Sequence, residues 1–230
     1  DMLQATGIAT VAIMSAPIEF QAYRPRFEAL IADIKNRGLK LHLVNQMDYK
    51  SRLSLIGLKN PLQTLFPPSK SKILSYETSW MQVYASYKPD FLTVIAEPSN
   101  LNLKMRVGLI DIDWNTIITS LVQTVKSISP QTQVWVDLVP ATGIMDYYMG
   151  TSSTMISGLD GIGWDIYGTD GQAVLKQLVP VEVNAGKLVG ATETWWNPLY
   201  ADPIYDNPDY APLEAAWFQN LMDAAQKNNV

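Results

Sequence analysis

Two glutamates, Glu97 and Glu193, each close a short apolar run, FLTVI with Ala96 and LVGAT. A carboxylate at the end of an apolar strand is costly to bury unpaired, so its position asks for a use. One reaction that needs two converging carboxyl groups is glycoside cleavage with retention, in which one acid protonates the leaving oxygen. The second attacks the anomeric carbon, and the two lie about 5 to 5.5 Å apart. Glu193 lies 96 positions after Glu97, room for three strand–helix units between two strand ends. The plain alternative for Glu97 is a strand-end carboxylate that caps the segment after it. For Glu193, with Trp195 and Trp196 just beyond it, that alternative is weaker.

The elements that must position this pair read as repeated βα units. Apolar, β-branched runs alternate with longer amphipathic stretches, the pattern of a parallel sheet covered by helices. Strands are expected at 8–14, 41–44, 91–95, 134–138, 161–167 and 188–192. Helices are expected at 24–37, within 69–87, at 113–127 with Asp113 as cap, around 147–156, at 171–185 and at 212–227. The strand runs are nearly continuous in apolar residues, as parallel strands buried on both faces require. Long polar or Pro-rich segments, 45–68, 97–111 and 195–210, follow strand carboxyl ends, where barrel enzymes build their sites. The pattern fits strands two to seven of an α/β (β/α)8 TIM barrel in one domain over 1–230, incomplete as a barrel. A missing segment or a second chain would then supply the other strands. An open doubly wound sheet is the competing architecture.

Composition narrows the partners. The chain has 230 residues, 47% of them hydrophobic, enough for one large core. It has no cysteine, which removes disulfides, thiolate metal sites and a cysteine nucleophile. A formal charge of -5 speaks against nucleic acid or an anionic membrane as main partner. No run reaches the roughly 18 apolar residues of a membrane span. Charged residues are only 17%, beside abundant Ser, Thr, Asn, Gln, Tyr and Trp, a surface style of extracellular or cell-surface proteins that handle sugars. No P-loop or dinucleotide fingerprint is present, and Asp202, Asp206 and Asp209 lack the glycine and terminal glutamate of a calcium loop.

At Ala96-Glu97-Pro98 and Thr192-Glu193-Thr194-Trp195-Trp196 the sequence resembles clan A of the glycoside hydrolases, the retaining (β/α)8-barrel superfamily. In that superfamily a glutamate closing the fourth strand, usually within Asn-Glu-Pro, is the acid/base, and a glutamate closing the seventh is the nucleophile. The resemblance implies those roles for Glu97 and Glu193, a β-linked oligo- or polysaccharide as substrate, and no cofactor or metal. It also places Tyr167 on the sixth strand, near the nucleophile. The clearest departure is Ala96, where the superfamily has an asparagine that contacts the sugar 2-hydroxyl. A barrel that has lost catalysis and binds carbohydrate, or serves as a surface structural module, is therefore the alternative.

Around the pair, Asn45 and Gln46 follow the strand LHLV and offer hydrogen bonds suited to sugar hydroxyls, or simply cap a loop. Trp195 and Trp196 are the aromatics best placed as sugar platforms, ahead of Trp80, Trp114 and Tyr200. Tyr167 either orients the nucleophile or is a rim aromatic. Asp165 is expected to pair inside the barrel and Trp164 to pack outward against a helix. His42, the only histidine, reads as a satisfied core residue.

Overall fold

The computed structural model describes residues 9–46, 68–105, 108–139, 150–167 and 177–195. In chain order these form β1 (Thr10–Ser15), α1 (Pro17–Ala22), α2 (Arg24–Asn36), β2 (Lys40–Asn45), α3 (Lys70–Ser86) and β3 (Phe91–Ala96). There follow α4 (Pro98–Met105), α5 (Asp111–Ile128), β4 (Gln133–Leu138), β5 (Gly161–Tyr167), α6 (Val179–Asn184) and β6 (Leu188–Trp195). The six strands make one sheet in the order β1-β2-β3-β4-β5-β6, every neighbouring pair parallel. A doubly wound sheet reverses its strand order at a switch point, and this one does not. With the right-handed crossover usual for parallel strands, unbroken order keeps the helices on one face and curls the other inward, which is the winding of a (β/α)8 barrel. The expected helix at 212–227 lies outside the described residues.

Element ends follow local chemistry. Ser69 caps α3, its hydroxyl accepting the Lys72 N–H at 3.4 Å. Asp113 is not the cap of α5, as the sequence suggested; the helix starts earlier, with Ile110 as cap. Asp113 reaches back from the third helical position to accept the Ile110 N–H at 3.4 Å. Helix α4, directly after Glu97, was expected only as a polar segment. At the amino ends of the strands, Asp90 Oδ2 accepts the Leu41 N–H at 2.9 Å and Asp160 Oδ2 the Val134 N–H at 2.7 Å. Each of these aspartates ties the start of its own strand to a neighbour.

Strand alternation sorts the two faces. Val11, Ile13, Leu41, Leu43, Leu92, Val94, Val134, Val136, Leu138, Ile162, Trp164 and Val189 pack with helix residues such as Phe20, Ile31, Ile73, Met81, Ile117 and Leu121 in a single apolar core. Trp164 is fully buried on this side, and its indole N–H donates to Glu182 of α6 at 3.0 Å. The inner face is filled differently. Trp135 of β4 lies across β5 and β6: a Cβ on Gly161 would meet its ring at 2.4 Å, and one on Gly190 at 3.3 Å. Phe91 meets the same indole edge-on, centroids 6.3 Å apart. Two strands must surrender their side chains so that one large ring fits.

Two helix carboxyls are buried behind the sheet. Glu77 of α3 accepts the Asn45 amide N–H at 2.5 Å, and burial pushes its pKa up to about 8. Glu182 is likewise buried and raised to about 7, the Trp164 indole pulling partly the other way. Both acids are neutral at mildly acidic pH.

Two predictions follow from this packing. Replacing Gly161 by Ala drives a methyl into the Trp135 ring and destabilises the fold by about 1–3 kcal/mol; urea unfolding should show part of that loss recovered in Gly161→Ala/Trp135→Leu. Because the folded-state pKa of Glu77 is raised, its contribution is fully present below about 4.5 and is lost as pH rises through about 8. Denaturant midpoints should therefore fall between pH 6 and pH 9, and Glu77→Gln should flatten that fall.

Candidate active site

Glu97 sits between β3 and α4 with φ of 52°, a left-handed conformation rare for a residue with a side chain. Lys88 shares it, at 48°, but follows the end of α3, where a left-handed residue is an ordinary helix stop. Glu97 follows a strand and has no such reason. Its N–H donates to the Asp137 carbonyl at 2.9 Å, and its own carbonyl accepts the Leu101 N–H of α4 at 3.0 Å. Pro98 disfavours the right-handed helical conformation in the residue before it. Strain of about 1–3 kcal/mol is thus held from both sides, a pattern that clusters at functional sites.

The ladder changes register just before this residue. Thr93 pairs with Trp135, but Ala96 pairs with Asp137, so β3 carries one residue more than β4 over that stretch. Strict alternation from Thr93 would set Ile95 inward; the slip moves Ala96 beside Asp137 instead. Alternation no longer dictates where Glu97 points. A second slip separates Trp164 from Asp165: Trp164 pairs with Ala191, Asp165 with Glu193. Here β6 carries the extra residue, immediately before Glu193. Bulges of this kind re-aim a side chain and recur next to active sites.

Asp165, buried inside the sheet, is the register partner of Glu193, and Tyr167 is that of Trp195. These four residues therefore lie together at the carboxyl ends of β5 and β6. From β3 to β6 is three strand spacings, roughly 14 Å along the sheet. Only inward curvature leaves a gap that two glutamate side chains can span.

Other sequence candidates are placed less favourably. Asn45 is fully buried, and its amide donates to Glu77 at 2.5 Å and to the Val94 carbonyl at 2.9 Å. It serves the seam between sheet and helix, so the expectation of a sugar contact is corrected: odd positions of β2 face the helices. Gln46 is half-buried, and its N–H extends the β1–β2 ladder to the Ser15 carbonyl at 3.2 Å. Trp114 is fully buried and bonded to Asn102 at 3.3 Å, while Trp80 packs among Phe20, Tyr76 and Tyr84. Neither is a platform. Trp196, Tyr200 and the three loop aspartates lie outside the described residues.

His42 is a satisfied inner residue. Its Nε2 lies 2.9 Å from Thr93 Oγ1, and burial pushes its pKa down to about 4, so it is neutral. Thr93 in turn donates to Asp137 Oδ1 at 3.3 Å. Sequence reasoning passed over Thr93 and Asp137, though an aspartate inside VWVDL, in step with Trp135, was a visible signal. Among the described residues no three metal-binding side chains gather, and no helix is long and apolar enough to cross a membrane.

No family model and no curated protein matches the sequence. Solved structures do match its fold. A GH10 protein from Paenibacillus barcinonensis superposes with a TM-score of 0.65 at 12% identity, over 87% of this chain and 65% of that one. A GH10 endoxylanase from a sugarcane soil metagenome gives 0.52 at 12%, over 77% and 55%. The catalytic domain of the major endoglucanase from Xanthomonas campestris pv. campestris gives 0.58 at 10%, over 100% and 75%. The chain thus spans 55% and 65% of the length of the two GH10 proteins, and at these identities the likeness is one of fold. What the chain is similar to is the barrel on which glycoside hydrolases such as these are built.

Proposed function

We propose that this chain is the catalytic part of a retaining glycoside hydrolase, with Glu97 as acid/base and Glu193 as nucleophile. The observation that carries the reading is the coincidence of both glutamates with register slips at strand carboxyl ends, one of them in a left-handed conformation. Each slip costs a ladder position, and the two fall where a pair of carboxyls must be aimed. In the first step the Glu193 carboxylate forms a bond to the anomeric carbon as the glycosidic C–O bond breaks. Glu97 delivers its proton to the leaving oxygen. In the second step Glu97, now ionised, takes a proton from water, whose oxygen displaces Glu193 and restores the starting configuration. Tyr167 and Trp195 are suited to flank the nucleophile, with Trp196 and Gln46 as further contacts to the sugar.

The substrate class is a β-linked oligo- or polysaccharide, supported by the endoxylanase and endoglucanase among structures of this fold. An extracellular or cell-surface setting suits a surface poor in charge. A second reading, a barrel that binds carbohydrate without cleaving it, is favoured by Ala96. It is 3% exposed and has no polar atom to offer a 2-hydroxyl.

Turnover of aryl β-glycosides decides between the two. Glu193→Gln should lower kcat by about 10⁴-fold while sugar affinity persists; a binding module would show no turnover to lose. Glu97→Gln should slow phenyl glycosides by roughly 10²–10⁴-fold and spare dinitrophenyl glycosides, whose leaving group needs no proton. A crystal structure with the two carboxyl carbons more than about 9 Å apart would sink the double displacement.

A further inference from the structure

Thr93 and Asp137 bracket the extra residue that precedes Glu97. Thr93 pairs with Trp135 before the slip, and Asp137 pairs with Ala96 after it. The Thr93 hydroxyl donates to Asp137 Oδ1 at 3.3 Å, so one side-chain hydrogen bond spans the slip diagonally. From its other side Asp137 holds Glu97 directly, its carbonyl accepting the Glu97 N–H at 2.9 Å. Thr93 and Asp137 are fully buried, out of reach of any substrate. A third group fixes the clamp. The one hydroxyl hydrogen of Thr93 goes to Asp137, so at 2.9 Å its oxygen accepts from His42 Nε2–H. The result is a directed chain, His42 to Thr93 to Asp137, from β2 across β3 to β4.

Apolar residues of the same shape would fill this space at no cost in unpaired polar atoms. What the chain adds is geometry: it allows one register on each side of the slip and one rotamer of the threonine. We propose that Thr93 and Asp137 are positioning residues for Glu97, clamping the slipped end of β3 so that the glutamate is presented in a single orientation. The inference rests on Glu97 acting as acid/base. A displacement of about 1 Å at such a group costs on the order of 10²-fold in rate.

Thr93→Val removes the hydroxyl and keeps the shape, while Thr93→Ser keeps the hydroxyl. With phenyl glycosides, Thr93→Val should lose about 10–100-fold in kcat/KM, with dinitrophenyl glycosides less than about threefold, and Thr93→Ser should restore the phenyl rate. An equal loss on both substrates, or no rescue by serine, means a merely structural threonine and overturns the proposal. Two NMR signals decide it without turnover. The hydrogen-bonded Nε2–H of the only histidine and the Glu97 side-chain carboxyl carbon, assigned by its loss in Glu97→Gln, should both move in Thr93→Val and return in Thr93→Ser. A Glu97 signal that stays put in Thr93→Val overturns the clamp. Absence of all glycoside turnover in the wild type, with both signals moving as expected, would instead remove the glycosidase reading and leave the clamp standing.

Discussion

Six parallel strands in unbroken order pack with the described helices in one apolar layer, so among the described residues the opposite face is filled by the strands themselves. Much of the structure answers that constraint. Trp135 occupies the space over β5 and β6, and Gly161 and Gly190 exist to admit it. Polar side chains share this interior, and three of them, His42, Thr93 and Asp137, bond to one another. The polar floor that results lies beneath the strand end that carries Glu97.

The outer face obeys the opposite rule. It is largely apolar, and at two places a helix carboxyl reaches a strand donor: Glu77 to Asn45, Glu182 to Trp164. Burial raises the pKa of both acids, which lets each remain in the core as a neutral partner at mildly acidic pH. Asn45 and Trp164 are thereby fixed from behind. Asp165, the residue after Trp164, is the one that pairs in register with Glu193. Helix layer, strand and site are linked through single hydrogen bonds rather than through bulk packing alone.

Particular residues show how far the sequence could be read. The alternation of VAIM, LHLV, FLTVI, VWVDL, IGWDIY and LVGAT with amphipathic stretches placed all six strands to within three residues at either end, because period and β-branching are local properties. The outward packing of Trp164 was legible from strand parity, and the satisfied role of His42 from its place mid-strand as the only histidine. Asn45 was misread because the same parity, counted to the end of β2, points it at a helix whose glutamate no local pattern joins to it. Glu77 itself left a trace: it stands in the buried stripe Ile73, Glu77, Met81, Tyr84.

The sequence by itself determined the alternation of strands and helices and put two glutamates at carboxyl ends of parallel strands, since both follow from residue types and their spacing. Only the tertiary structure decided the single-sided winding and the two register slips. It also decided the left-handed turn at Glu97 and the hydrogen-bonded chain beneath it. The physical reason is that register is a relation between strands far apart in sequence. An extra residue in a ladder is invisible until its partner strand is beside it, and with it goes the direction in which a carboxyl is aimed.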